Sequence, residues 1–265
     1  MKAIDTHAHL YAEAFDGDLP AVVARAQEHL EAVLLPNVDR ASIARMHRLT
    51  DLAPDFFFPM MGLHPSHVQP GFEQELEMME QWLTQGSYRY WGIGETGIDL
   101  YWDKSTLDLQ RASLQVHIDW AKRYDLPIVL HAREAIDETA DLIERNLGDG
   151  LRGIFHCFDG TPAQAARIAA FGTFKIGIGG IVTYRKDVQE LVRQTDLDLI
   201  ALETDSPYLP PEPHRKDKPR RNESSYTRYV AATVAALQGL DAATVATRTS
   251  QQAIDLFRLP ISATA

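Results

Sequence analysis

Five stretches of the sequence end a short apolar run on residues that can bind a metal ion: Asp5-Thr6-His7-Ala8-His9, Gly94-Glu95, Leu130-His131, Phe155-His156 and Glu203-Thr204-Asp205. Side chains alternate in extended chain, so His7 and His9 share one side and can grip one ion together. Four His, one Glu and one Asp are more donors than one tetrahedral ion takes. They suit two ions that share a bridging carboxylate and a water or hydroxide, and Glu95 is the expected bridge. A single His at a strand end is usually only a hydrogen-bonded polar residue. Six such residues at successive run ends are not what packing selects, because each buried unpaired polar group costs about 1–3 kcal/mol.

The chemistry expected of such a centre is hydrolysis. A hydroxide between two ions attacks phosphorus in line while the metals neutralise phosphate oxygens, and Asp205 orients or deprotonates that water. Glu203, two residues earlier on the same side, steers a ligand, helps as a base, or simply supports the strand.

Positioning these groups requires strands that end at one place. Apolar, β-rich runs occur at 2–5, 31–35, 56–61, 90–94, 127–130, 152–156, 173–178 and 199–203, most of them followed by helical periodicity. Ala21, Val22 and Val23 with Ala26 and Leu30 give one such helix, and Leu107, Leu114, Ile118 and Ala121 another. Eight βα units point to a (β/α)8 TIM barrel, with an open doubly wound sheet as the alternative. In a barrel the strands' C-terminal ends form the active site, which is where the His, Glu and Asp residues fall. A length of 265 residues fits one hydrolase barrel domain over 1–265. The Pro- and charge-rich stretch 207–222 reads as a functional loop after the eighth strand.

Composition narrows the partners. A net charge of −11 opposes adhesion to nucleic acid over the whole surface, so any polyanion must be caught locally. No apolar run approaches the roughly 20 residues that span a bilayer, so no membrane partner is expected. No obligate protein partner is indicated either. The opening Met1-Lys2-Ala3-Ile4-Asp5 has no leader-like pattern, and Cys157 is the only cysteine, so a cytoplasmic protein without disulfides is expected. Cys157 lies beside apolar Phe158 and reads as an inert buried thiol.

At the rim, the segment from His214 to Arg221 carries five Lys/Arg, with Arg215 and Lys216 as candidate phosphate contacts. Arg133 is a second candidate for phosphate, while Tyr101 and Trp102 are candidates for stacking on a base. His64, after the third run, is expected to face substrate. Each has a plainer reading as packing or solvated surface. Gly92, Gly94 and Gly97 mimic a dinucleotide fingerprint, but Glu95 inside the turn would repel a pyrophosphate and Ile98 to Trp102 opens no helix.

The blocks Asp5-Thr6-His7-Ala8-His9-Leu10, Gly62-Leu63-His64-Pro65, Gly92-Ile93-Gly94-Glu95-Thr96-Gly97-Ile98-Asp99, His156-Cys157-Phe158 and Glu203-Thr204-Asp205-Ser206-Pro207-Tyr208-Leu209 together resemble the TatD-related metal-dependent deoxyribonucleases, over nearly the whole chain. The resemblance implies an amidohydrolase-like barrel and metal ligands at His7, His9, Glu95, His131, His156 and Asp205. One departure is Arg221-Asn222-Glu223-Ser224, where relatives often carry Pro after the Glu, so the following helix can start differently. Related binuclear barrels that bridge their metals with a carboxylated lysine differ from this chain, which has Glu95 there and no lysine until Lys104. The expected function is a DNase that cleaves phosphodiester bonds, exonucleolytic on single-stranded DNA or 3′ ends, with two divalent ions of Mg, Mn or Zn. The alternatives are a hydrolase of a small phosphoester, amide or lactone on the same metals, and a non-catalytic metal-binding scaffold.

Overall fold

Eight short parallel strands alternate with helices along residues 2–261, the part of the chain that the computed structural model describes. The strands are β1 (Ala3–Asp5), β2 (Leu30–Leu35), β3 (Phe57–Pro59), β4 (Ile93–Gly97), β5 (Ile128–His131), β6 (Gly153–Phe155), β7 (Phe174–Ile178) and β8 (Ile200–Leu202). Two parallel ladders run β1-β2-β3 and β4 through β8. Backbone bonds close both seams between them. Gly94 N–H donates to Met61 O at 2.9 Å and Trp91 N–H to Pro59 O at 2.9 Å, while Thr6 N–H donates to Leu202 O at 3.0 Å and His9 N–H to Ser206 O at 2.7 Å. The result is a (β/α)8 barrel, as the eight apolar runs led one to expect.

The alternation of residues along each strand sorts the core into two parts. Ile4, Ala32, Leu34, Phe58, Val129, Ile154 and Ala201 form one buried cluster, whereas their strand neighbours Val33, Leu35, Phe57, Leu130, Phe155 and Leu202 pack in the other, with the helices. Helix α9 (Ala242–Phe257) contributes Ala253, Ile254, Leu256 and Phe257 to the first cluster and closes that end of the barrel. Two residues beyond Val129, Ile154 and Ala201 stand His131, His156 and Glu203, so the period that fills the interior also aims these three over it.

The fourth strand runs over 93–97 and not 90–94. The aromatic pair Tyr90-Trp91 carries the β propensity, but the ladder to β5 runs on through Thr96 and Gly97. Gly97, at φ +140°, has the His131 carbonyl where a Cβ would be, so only glycine fits there. Helix starts follow local capping: Asp39 and Ser42 form a capping box for α2 (Arg40–Leu52), and Thr161 and Gln164 do so for α6 (Pro162–Ala170). After Glu223 a short 3-10 turn, Ser224–Tyr226, leads into α8 (Thr227–Gln238). Among the described residues no single helix is long and apolar enough to cross a membrane.

Candidate metal centre

Glu95 stands at the middle of a buried cluster, with one carboxylate oxygen directed to each side. Its Oε2 lies 3.2 Å from His7 Nε2 and 3.4 Å from His9 Nε2. Asp205 Oδ1 completes that side, 3.4 Å from His9 Nε2 and 3.8 Å from His7 Nε2. Glu95 Oε1 lies 2.9 Å from His131 Nδ1, 2.9 Å from His156 Nε2 and 3.3 Å from His64 Nε2. Among the described residues, three donor sets are compact enough to hold a cation: His7, His9 and Glu95; His7, His156 and Asp205; and His64, Glu95 and His131. His64, expected only to face substrate, thus stands among the donors.

Neighbouring groups fix which nitrogen two of the imidazoles present. Tyr11 O–H donates to Pro36 O at 2.5 Å, so at 3.0 Å its oxygen accepts from His9 Nδ1–H and leaves His9 Nε2 facing Glu95 and Asp205. Asp99 Oδ2 lies 2.7 Å from His131 Nε2, which leaves Nδ1 facing Glu95. Asp5 ties β1 to β8: its Oδ1 accepts from Thr204 N–H at 2.9 Å and its Oδ2 from Thr204 Oγ1–H at 2.6 Å, with His7 N–H 3.3 Å from Oδ1. Asp205 holds a left-handed backbone, φ +56°, that its N–H to His7 O bond of 2.9 Å helps to maintain.

Electrostatics test whether these residues suit a cation. Burial alone would push the Glu95 carboxyl up, yet the imidazoles of His64, His156 and His7 hold it well below the usual range. Burial likewise opposes charging His9 and His156, but Tyr11, Asp205 and Glu95 hold His9 well above its ordinary value, and Glu95 and Glu203 do the same for His156. The buried carboxylates therefore demand positive charge, and among the described residues His7 Nδ1 and Glu203 Oε2 find no hydrogen-bond partner. Imidazoles and carboxylates of this kind fit Zn, Mn or Mg.

A pocket of about 830 Å³ opens above the cluster, lined by His9, His64, Glu95, His131, His156 and Asp205 and, higher up, by Trp102, Arg133, Arg185 and Tyr208. Trp102 and Tyr208 are 72% and 58% exposed, so the mouth offers two aromatic faces. The Arg133 guanidinium lies 3.6 Å over the Tyr101 ring and 5.7 Å from that of Trp102. Glu203 is fully buried below: its Oε1 accepts from Cys157 N–H at 2.5 Å and lies 3.5 Å from His156 Nδ1. Burial, with Asp205 and Glu203 nearby, pushes the Cys157 thiol well above its usual range, which leaves it uncharged.

The basic loop is not brought to the lining. Arg215 lies 4.1 Å over the Tyr184 ring, Lys216 sits with it on an exposed 3-10 turn, and Arg221 pairs at 2.7 Å with Asp18. Sequence reasoning missed Tyr11, Asp99, Arg185 and Tyr208. Asp99 and Tyr208 lie inside the quoted blocks, yet nothing in their types marks the hydrogen bond or the exposure that gives them importance.

Comparison with known proteins follows the same lines. The family model for TatD related DNase matches residues 4–258. The chain is 34% identical to the uncharacterized metal-dependent hydrolase YabD of Bacillus subtilis, covering 96% of this chain and 98% of that one. It is 31% identical to the 3′-5′ ssDNA/RNA exonuclease TatD of a Rahnella strain, covering 95% and 96%. The crystal structure of the TatD homologue YjjV from Escherichia coli superposes with a TM-score of 0.89 at 29% identity, covering 97% and 98%.

Proposed function

Because the chain belongs to the TatD related DNase family of metal-dependent hydrolases acting on ester bonds, we propose that it removes nucleotides from single-stranded DNA ends by phosphodiester hydrolysis at a two-ion centre. The observation that carries this reading is Glu95, whose two oxygens serve two donor groups beneath a pocket with exposed aromatic and cationic walls. The Rahnella relative, named for ssDNA/RNA exonuclease activity, supports nucleic acid as the substrate class.

His7, His9 and Asp205 would hold one ion, His131 and His156 the other, with Glu95 between them. Divalent ions in such a cluster supply Lewis-acid polarisation of a phosphate and activation of water. Asp205 lines the pocket and is 15% exposed, so its carboxylate would be placed to orient an attacking water or accept its proton. Glu203, held on Cys157 N–H, keeps the His156 ring in place from beneath. Arg133 offers a planar fork of donors to a phosphate, and Trp102 a face on which an unpaired base stacks. His64 stands beside Glu95 and His131 at the substrate side of the cluster. Arg215 and Lys216, outside the lining, would meet only nucleotides farther along the strand.

Labelled single-stranded DNA, incubated with metal-stripped protein resupplied with Mg, Mn or Zn, tests the proposal. Nucleotide release should need metal, and Glu95→Ala and Asp205→Ala should each lower it at least about 100-fold, the scale on which loss of one acid-base group registers. Metal-loaded wild-type protein that leaves DNA intact would overturn the assignment and direct the search to small esters.

A further inference from the structure

Asp99 is 2% exposed and touches two different parts of the site at once. Its Oδ2 lies 2.7 Å from His131 Nε2. Its Oδ1 accepts from the backbone N–H groups of Tyr101 at 2.9 Å and Trp102 at 3.2 Å, the turn that sets the exposed aromatics at the pocket mouth. The carboxylate cannot drift, because Gln110 clamps the Asp99 backbone from α4 (Leu107–Arg123): Asp99 N–H donates to Gln110 Oε1 at 2.7 Å, and Gln110 Nε2 donates to Asp99 O at 3.1 Å. The same turn is tied to β5's far side, since Leu100 N–H donates to Arg133 O at 3.0 Å and the Arg133 guanidinium covers the Tyr101 ring.

From this geometry we propose that Asp99 is a positioning residue that couples cation binding at His131 to the order of the Tyr101-Trp102-Arg133 platform. The inference rests on the reading of His131 as a metal ligand and of the platform as a nucleic-acid contact. The physical link is short. A carboxylate accepting Nε2–H fixes the His131 tautomer with a lone pair on Nδ1, the nitrogen that faces Glu95. A cation at Nδ1 makes Nε2–H a stronger donor, which holds the Asp99 carboxylate harder, and with it the two amides that Asp99 accepts from. The centre, when loaded, thereby stiffens the surface that receives the strand. An ordered strand end in turn favours the loaded centre, since such coupling is reciprocal.

Asp99→Asn separates the two contacts. Its amide oxygen still accepts from the turn, but its NH2 group now donates to His131 Nε2 and drives the ring proton to Nδ1, where a cation cannot bind. Zinc alone is the probe, added to metal-stripped protein. Calorimetry gives its affinity, and acrylamide quenching of Trp102, isolated as the difference from a Trp102→Phe variant, reports the turn. In wild type, zinc should reduce the quenching of Trp102. In Asp99→Asn, zinc affinity should fall about 10-fold, the low end for loss of a ligand's outer partner, and saturating zinc should leave Trp102 as quenchable as before. His131→Gln keeps Asp99 and the turn intact. It should also abolish the Trp102 response, which covers the case in which Asp99→Asn fails to fold.

Asp99→Asn protein with wild-type zinc affinity, or wild-type Trp102 blind to zinc, overturns the coupling. If Trp102 responds as stated but Trp102→Ala binds single-stranded DNA normally, the coupling stands and the nucleic-acid reading of the platform falls. If Trp102→Ala weakens DNA binding while Asp99→Asn behaves as wild type, the reverse holds.

Discussion

Trp102 and Glu95 mark the extremes of what one side chain can reveal. Trp102 keeps 72% of its surface in water beside the Arg133 guanidinium and in the pocket lining, which leaves its ring open to stacking. A stacked base contributes about 1–3 kcal/mol, so Trp102→Ala should weaken binding of a short single-stranded oligonucleotide roughly 5- to 150-fold, with kcat nearly unchanged. Fluorescence anisotropy with a labelled oligonucleotide checks the first part and steady-state kinetics the second. The His, Glu and Asp residues that gather around Glu95 were legible in the sequence, His64's place among them excepted, because such residues are costly to bury and recur at the ends of apolar runs. Tyr11 and Asp99 were not, because their importance is a hydrogen bond to an imidazole from 2 and 32 residues away, and no spacing rule encodes that.

At the scale of elements, the eight runs were readable because parallel strands covered on both faces are continuously apolar. Their edges were less so. The fourth shifted toward Gly97, where the absence of a side chain outweighed the aromatic propensity of Tyr90 and Trp91. The basic loop illustrates a different blind spot: charge runs reveal composition but not direction, and Arg221 turns away to Asp18. Helix α4 carries one element-level prediction through His117, which is fully buried and joins it to Leu63 in the segment after β3. Its Nδ1–H donates to Ser113 O at 2.7 Å and its Nε2 accepts from Leu63 N–H at 3.0 Å, so only the neutral ring fits. Burial pushes its pKa down to about 4. The unfolded chain, with a His near 6.5, binds more protons between these values, so this contribution is intact above pH 6.5 and is lost as pH falls toward 4. Between pH 7 and pH 5 the wild type should lose about 2 kcal/mol more than His117→Gln. Urea unfolding at the two pH values measures the difference, and equal losses would show that His117 does not control it.

For the whole molecule, the donors around Glu95 come from the end of β5 and from the segments that follow β1, β3, β6 and β8, and so from both ladders of the barrel. A bound cation is therefore a cross-link between them. At 100 times its dissociation constant a ligand stabilises the folded state by about 2.7 kcal/mol, which for a chain of this size raises Tm by roughly 5–10 °C. Calorimetric scans with and without a chelator should show that gap, and Glu95→Ala should narrow it. A stripped protein that melts at the temperature of the loaded one would mean that the donors hold no ion.

The stitch between Asp5 and Thr204 also sets a clock. These partners are separated by 199 residues, and translation proceeds at about 5–20 residues per second. His7 and His9 therefore leave synthesis on the order of 10 to 40 s before the segment after β8 that carries Asp205 exists. On the proposed two-ion reading, a growing chain holds the first imidazoles of the centre but not its last carboxylate, so the site would be completed only late in synthesis.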